Sequence, residues 1–252
     1  MQSIQNEKLN KLKIVKSQID ELDDDLSSIS EPLTKKSGAF FFVGKPGSGK
    51  TSIWLSLLLS HGRGVSTGFY RKFDKVFLFS ASLDTLPMNE LGLDSGRVFD
   101  SYDENKLKEI IKNEKDSADN NNVLIVFDDL IKDISGKKGL YLEKLILNRR
   151  HAIQNKSNDK VKSGLTIFIT SQSYNMLPLR MRKNLSDIVL FSSTNAKELN
   201  SIRDELMYDL DKTQQNNVLK HCWSVPYGFC YIKSNSTTAD RYYQNFNLIV
   251  LK

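Results

Sequence analysis

Eight consecutive residues, Gly44-Lys45-Pro46-Gly47-Ser48-Gly49-Lys50-Thr51, carry the pattern G-x-x-x-x-G-K-[ST]. The chemistry this set serves is the grip on a chain of phosphates. Glycines let the backbone curl until successive N–H groups face one anion, and a helix beginning there adds the partial positive charge of its N-terminus. Lys50 is placed to reach the β and γ phosphates, and the Thr51 hydroxyl to bind Mg2+. The context is the required one, because the motif follows the apolar Phe40-Phe41-Phe42-Val43 and precedes an apolar helix. ATP with Mg2+ is therefore the expected cofactor, held by Gly44 through Ser52.

A second run, Val123-Leu124-Ile125-Val126-Phe127-Asp128-Asp129, is an apolar strand that delivers two carboxylates at its C-terminal edge, where ligands of open α/β sheets bind. Asp128 is the expected Mg2+ partner alongside Thr51. Asp129 is the candidate to orient and polarise the attacking water, the alternative for both aspartates being that they cap the helix or turn that follows. Leu165 to Thr170 is another apolar strand, ending in Ser171-Gln172. Placed beside the phosphate-binding strand, it would let Gln172 sense the γ-phosphate or hold the lytic water.

Arg149-Arg150-His151 falls near the end of an expected helix. Cations are favoured at a helix C-terminus for electrostatic reasons alone. The functional reading is an arginine finger reaching a neighbouring subunit's site, a contribution of about 10³ to 10⁵ in rate. Arg180, Arg182 and Lys183 form a further basic group, suited to contact DNA or another subunit or to face solvent. Trp54 and Tyr174 read as core residues. The scattered His61, His151 and His221 suggest neither a base nor a ligand.

These side chains need a scaffold, and the apolar pattern supplies one. Short apolar runs at Ala39 to Val43, Lys75 to Phe79, Val123 to Phe127, Leu165 to Thr170 and Ile188 to Phe191 suit strands buried on both faces. Helices fit between them at Lys50 to His61, Glu104 to Lys115, Gly139 to Asn155 and Leu177 to Asn184. The alternation predicts an α/β fold with a mainly parallel central sheet flanked by helices, of the additional-strand, RecA-like type. Residues 35–195 form this core. Residues 1–34 carry a three-four apolar spacing, from Leu12 to Ile29, that fits a short coiled coil or a helix docked on its own core. Residues 196–252 read as a helix at Ala196 to Leu210 and a terminal pair of strands, Trp223 to Lys233 and Asn245 to Leu251.

At 252 residues, with 39% hydrophobic and 26% charged residues, the chain has the composition of a soluble globular protein. No run is long and apolar enough for a signal peptide or membrane span, so an intracellular protein with no membrane partner is expected. Cys222 and Cys230 lack metal-ligand spacing and read as buried thiols. The net charge is +6, yet from Lys132 to Lys183 there are 12 Lys or Arg against 3 Asp or Glu, a local excess larger than that of the whole chain. Such a concentration suggests an anionic partner.

The order of these motifs, from the Gly44 loop through Phe127-Asp128-Asp129, Asn148-Arg149-Arg150-His151 and Thr170-Ser171-Gln172 to Arg182-Lys183-Asn184 before Asp187-Ile188-Val189, resembles the FtsK/HerA superfamily. Within it, the likeness is to the poxvirus-type genome-packaging ATPases of large DNA viruses, virophages and related elements. It spans roughly Ala39 to Phe191. The resemblance implies a homo-oligomeric ring, hexameric or pentameric, that pulls double-stranded DNA into a preformed capsid, with capsid protein a further partner. It implies that Arg149 or Arg150 acts in trans, that Gln172 is the sensor, and that the protein works in the host cytoplasm and virion. Many members have Asp-Glu where this chain has Asp128-Asp129, and the shorter second carboxylate shifts the water it would hold. Two other readings remain open on the residues alone: a small-molecule kinase with Arg180 and Arg182 in a lid, and a nucleotide-binding structural protein without catalysis.

Overall fold

The computed structural model describes residues 32–34, 37–59, 69, 72–119, 121–134, 136–154 and 163–251. The apolar helix expected before Pro32 lies outside them.

The three phenylalanines of the first strand decide the layering. In β1 (Ala39–Val43) every residue is buried, so the strand must be covered on both faces. Phe40 and Phe42 point into one cluster, where they pack with Phe168 and with Trp54 of α1 (Lys50–Leu59). Phe41 and Val43 point into the other cluster, where helices further along the chain cover the sheet. Those helices are α3 (Glu104–Asp116), α4 (Leu140–Asn148), α6 (Ala196–Leu206) and α7 (Lys212–Cys222). The short α2 (Met88–Leu91) lies on the α1 side, and α5 (Leu179–Arg182), through Met181, on the opposite one.

The remaining strands are β2 (Lys75–Ser80), β3 (Val98–Phe99), β4 (Asn122–Asp128), β5 (Gly164–Ser171), β6 (Asp187–Phe191), β7 (Phe229–Lys233), β8 (Tyr242–Gln244) and β9 (Asn247–Leu248). They form one sheet in the order β3-β2-β4-β5-β1-β6-β7-β8-β9. From β3 to β6 all pairings are parallel, and from β6 to β9 all are antiparallel. One strand, β5, stands between the phosphate-loop strand β1 and the carboxylate strand β4. This is the additional-strand arrangement expected from the sequence.

All five expected core strands are present. Several outer elements differ from expectation. The α4 helix stops at Asn148 rather than Asn155, where the Asn148 amide donates to the Lys144 carbonyl and the chain folds into turns. Helix α5 starts only after Pro178, its N-cap residue. Residues 212–222, left unassigned by the apolar pattern, form α7, begun by a capping box in which Asp211 accepts from Thr213 and Gln214 backbone N–H groups. The strand expected from Trp223 starts at Phe229, because Trp223 caps α7. The run expected as a single strand, Asn245 to Leu251, is broken by a two-residue turn at Asn245 and Phe246, both at positive φ (48° and 69°), that reverses the chain between β8 and β9. Phe246 is held there by edge and tilted contacts with the Phe229 and Tyr231 rings.

Candidate functional site

The phosphate loop leaves β1 at Gly44, whose N–H donates to the Ser171 carbonyl at the end of β5. Only glycine fits there, because a Cβ would come within 2.5 Å of Ser48 Oγ and 2.7 Å of Phe191 Cβ. Gly47 and Gly49 take positive φ values of 75° and 103°, which curl the loop back toward α1. Lys45 and Pro46 stand exposed on its outer turn, and Ser52 is exposed on α1. The Lys50 ammonium folds over the loop and donates to the carbonyls of Gly44 at 2.7 Å and Lys45 at 3.2 Å. Burial lowers the Lys50 pKa, and the nearby Asp129 and Asp128 work against that shift. Among the described residues the buried Ser48 hydroxyl has no hydrogen-bond partner, a donor suited to an anion in this cradle.

Strand β4 brings Asp128 to the same edge. Its Oδ1 accepts from Thr170 Oγ1 at 2.9 Å, Trp54 Nε1 at 3.3 Å and Thr51 Oγ1 at 3.5 Å, and its Oδ2 from Ser80 Oγ at 3.5 Å. Burial raises the Asp128 pKa, opposed by the bonds from Thr170 and Trp54. The Thr51 hydroxyl and the Asp128 carboxylate form an oxygen donor pair of the kind a hard divalent cation takes, so the residues present fit Mg2+.

Asp129 turns away from the strand in the left-handed region, at φ 55°. That turn lets its backbone N–H donate to Thr170 Oγ1 at 2.8 Å and leaves its carboxylate exposed, where Gln172 Nε2 donates to both oxygens at 3.3 Å. Thr170 thus links the Asp128 carboxylate to the Asp129 backbone with one hydroxyl, donating to Asp128 Oδ1 and accepting from the Asp129 N–H. Lys50, Thr51, Asp128, Asp129 and Gln172 stand together at the C-terminal edge of the parallel strands.

Arg149 and Arg150 do not join them. Arg149 is 8% exposed, with its guanidinium donating to the carbonyls of Ser37, Ile146 and Asn184. Ser37 precedes β1 and Asn184 precedes β6, so this arginine lies at the sheet edge opposite the phosphate loop. Arg150 is exposed beside it. Arg182, a lid residue in the kinase reading, is instead paired with Glu205 at 2.7 Å and stacked over the buried Tyr174 ring. Cys222 and Cys230 are buried free thiols.

Four contributors were not legible as such. Thr170 and Ser80 lie at the C-terminal ends of apolar strands, where nothing local singles them out. Trp54, read as core, is buried but also donates to Asp128. Tyr227, in a segment given no chemistry, stands over the loop at Gly49, where a Cβ would meet its Cδ1 at 3.8 Å. Its signal was a turn sequence, Pro226-Tyr227-Gly228, with an aromatic at its tip.

No protein-family profile matches this sequence, and no curated protein matches it. Solved structures do. The genome packaging NTPase B204 from Sulfolobus turreted icosahedral virus 2, in complex with sulfate, superposes with a TM-score of 0.59 at 15% identity, covering 86% of this chain and 98% of that one. The same NTPase with ATP-gammaS gives 0.55 at 15%, with 80% and 94% covered. The pCW3 conjugation coupling protein TcpA, in its monomer form, gives 0.50 at 13%, covering 83% of this chain and 59% of that one. At these identities the likeness is one of fold: the chain has the P-loop NTPase fold, shared with a viral genome packaging NTPase and a conjugation coupling protein.

Proposed function

We propose that this chain is an ATP-driven motor that translocates double-stranded DNA and packages a genome into a preformed capsid. The observation that carries the hydrolytic part is the continuous network Asp128–Thr170–Asp129–Gln172 facing Lys50 across the phosphate loop. Lys50, Ser48 and the loop N–H groups bind the phosphates, and Thr51 and Asp128 are the residues that would hold Mg2+. That ion, when bound, supplies positive charge to offset the negative charge on the β and γ phosphate oxygens. Asp129 takes the proton of the attacking water, and Gln172 fixes the direction of its carboxylate. A P-loop kinase needs an acceptor site closed by a lid; of the two arginines that could supply it, Arg182 is committed to Glu205, while Arg180 is exposed beside Glu143.

Support for DNA as the track comes from the fold shared with B204, described as a DNA-packaging ATPase, and from the basic stretch between Lys132 and Lys183. In this reading the chain works as a hexameric or pentameric ring in the host cytoplasm, with capsid protein as its docking partner. Among the described residues no helix is long and apolar enough to cross a membrane. The trans-acting cation is Arg150, since the Arg149 guanidinium is spent on three carbonyls of its own subunit.

The test is ATP hydrolysis with and without duplex DNA at low salt, together with the mass in solution. Stimulation by duplex that fades as salt rises, in a ring-sized species, is the expected result. A monomer whose hydrolysis ignores DNA would sink the translocase reading.

A further inference from the structure

The strand order gives the nucleotide a direction. The groups that meet the γ-phosphate, Asp128, Asp129 and Gln172, come from β4 and β5, on one side of β1. A nucleoside triphosphate with its γ end there leaves the phosphate loop on the other side, toward β6 and β7. Strand β7 runs antiparallel, with Phe229 opposite Phe191, so the loop that precedes it reaches the same sheet edge as the phosphate loop. On that side lies a cavity of about 530 Å³, lined by Gly49, Lys50, Ser52, Ile53 and Tyr227.

Tyr227 is unusual in two independent ways. Its side chain is 75% exposed although the residue is large and aromatic. Its backbone sits at φ 56°, in a turn closed by the Gly228 N–H donating to the Val225 carbonyl at 2.9 Å. With Pro226 second in that turn, the third position is one that favours Gly or Asn, and a bulky side chain there carries strain. The turn is not free to relax, because even a Cβ on Gly228 would meet the Cys222 carbonyl oxygen at 2.4 Å. An exposed ring held in a strained turn over a cavity beside a phosphate cradle points to a ligand with a flat face.

We propose that Tyr227 is the platform on which the base of the bound nucleotide stacks, a role that rests on the reading of Gly44 to Thr51 as a nucleoside triphosphate site. The base enters the cavity over Ile53 and Ser52 and lies against the tyrosine ring, while the phosphates run through the loop to Lys50. Stacking on a π-face does not depend on the hydroxyl, so Phe or Trp serves equally.

Titration calorimetry on the full chain, with ATP and with inorganic tripolyphosphate, tests this. Tyr227→Gly is expected to weaken ATP about tenfold while tripolyphosphate stays within about twofold, and Tyr227→Phe and Tyr227→Trp to keep ATP within about twofold. Tyr227→Gly is also expected to raise the melting temperature of the nucleotide-free protein, since glycine relieves the turn. ATP affinity unchanged in Tyr227→Gly overturns the proposal. So does a parallel loss of tripolyphosphate, which would make the turn a support for the cradle, or a loss in Tyr227→Phe equal to that in Tyr227→Gly. A wild-type chain that binds neither ligand overturns the nucleotide reading itself, a result distinct from all of these.

Discussion

On the β4–β5 flank of the phosphate cradle, short polar side chains hold one another: Thr170 ties Asp128 to Asp129, Gln172 ties down Asp129, and Trp54 and Ser80 lean on Asp128. On the β6–β7 flank the contacts are between rings, with Phe191 against Phe229, Phe229 against Phe246, and Tyr227 standing over Gly49. Hydrogen bonds fix direction to tenths of an ångström, whereas ring packing contributes area with tolerance in angle. The first flank therefore suits bond-making, and the second suits grip. A substitution on the first flank should change turnover, and one on the second should change affinity.

The strongest challenge to that division is Asp129→Asn. It keeps the shape and the contact with Gln172 but removes the base, so kcat should fall by about 10² to 10⁴ with ATP affinity nearly unchanged. Steady-state kinetics paired with calorimetry would show it, and an equal loss of affinity would blur the two flanks into one. Arg149→Ala is the control from the opposite sheet edge. Three carbonyls lose their donor, and urea unfolding should show a loss of about 3 kcal/mol, with turnover per folded molecule retained. A turnover defect without a stability defect would move the trans-acting role from Arg150 to Arg149.

Thr170→Val tests whether the joint between the Asp128 carboxylate and the Asp129 backbone matters in itself. Removing the hydroxyl should lower hydrolysis by about 10 to 100-fold, the range typical of groups that orient a metal ligand, with ATP binding intact. The smallest effect is expected at the foot of β6. Complete burial raises the Asp187 carboxyl pKa above its ordinary 3.8, against bonds from Ser186, Tyr231 and Thr34. A raised pKa means that the folded state holds its proton more tightly, so stability is lost as pH rises above 3.8. Asp187→Asn should remove that loss, widening its stability advantage toward neutral pH by about 1.4 kcal/mol for every tenfold by which folding tightens the carboxyl's hold on its proton. Melting curves at pH 4.5 and 7.5 measure it, and a pH-independent difference would refute it.

Much of the first flank was legible in the sequence, because its residues carry chemistry in their types and end apolar strands: Lys50, Asp128, Asp129 and Gln172 all meet at one edge. Thr170 was not, since a threonine inside a β-branched run looks like strand propensity. The second flank was nearly silent. An aromatic residue reads the same whether it fills a core or waits for a base, and the strand carrying Tyr227 to the cradle is joined through α7. The sequence holds the start of α7 in Asp211-x-x-Gln214, a capping box, but the helix has few apolar residues to give a period. The β8–β9 hairpin was hidden for another reason. Its turn is Asn245-Phe246, where Asn-Gly is the usual signal, and only contact with Phe229 and Tyr231 holds a phenylalanine at positive φ. Arg149 and Arg150 are adjacent in sequence, and only burial separates them.

The two ends of the sheet bear on assembly. Its outermost strands, β3 and β9, are each two residues long. Ladders so short offer a neighbour few unpaired N–H and C=O groups of their own, although β3 covers β2 only at Leu78 and Phe79. In the proposed ring, contacts through helix faces and loops would let subunits slide and tilt, whereas a shared sheet would weld one subunit to the next.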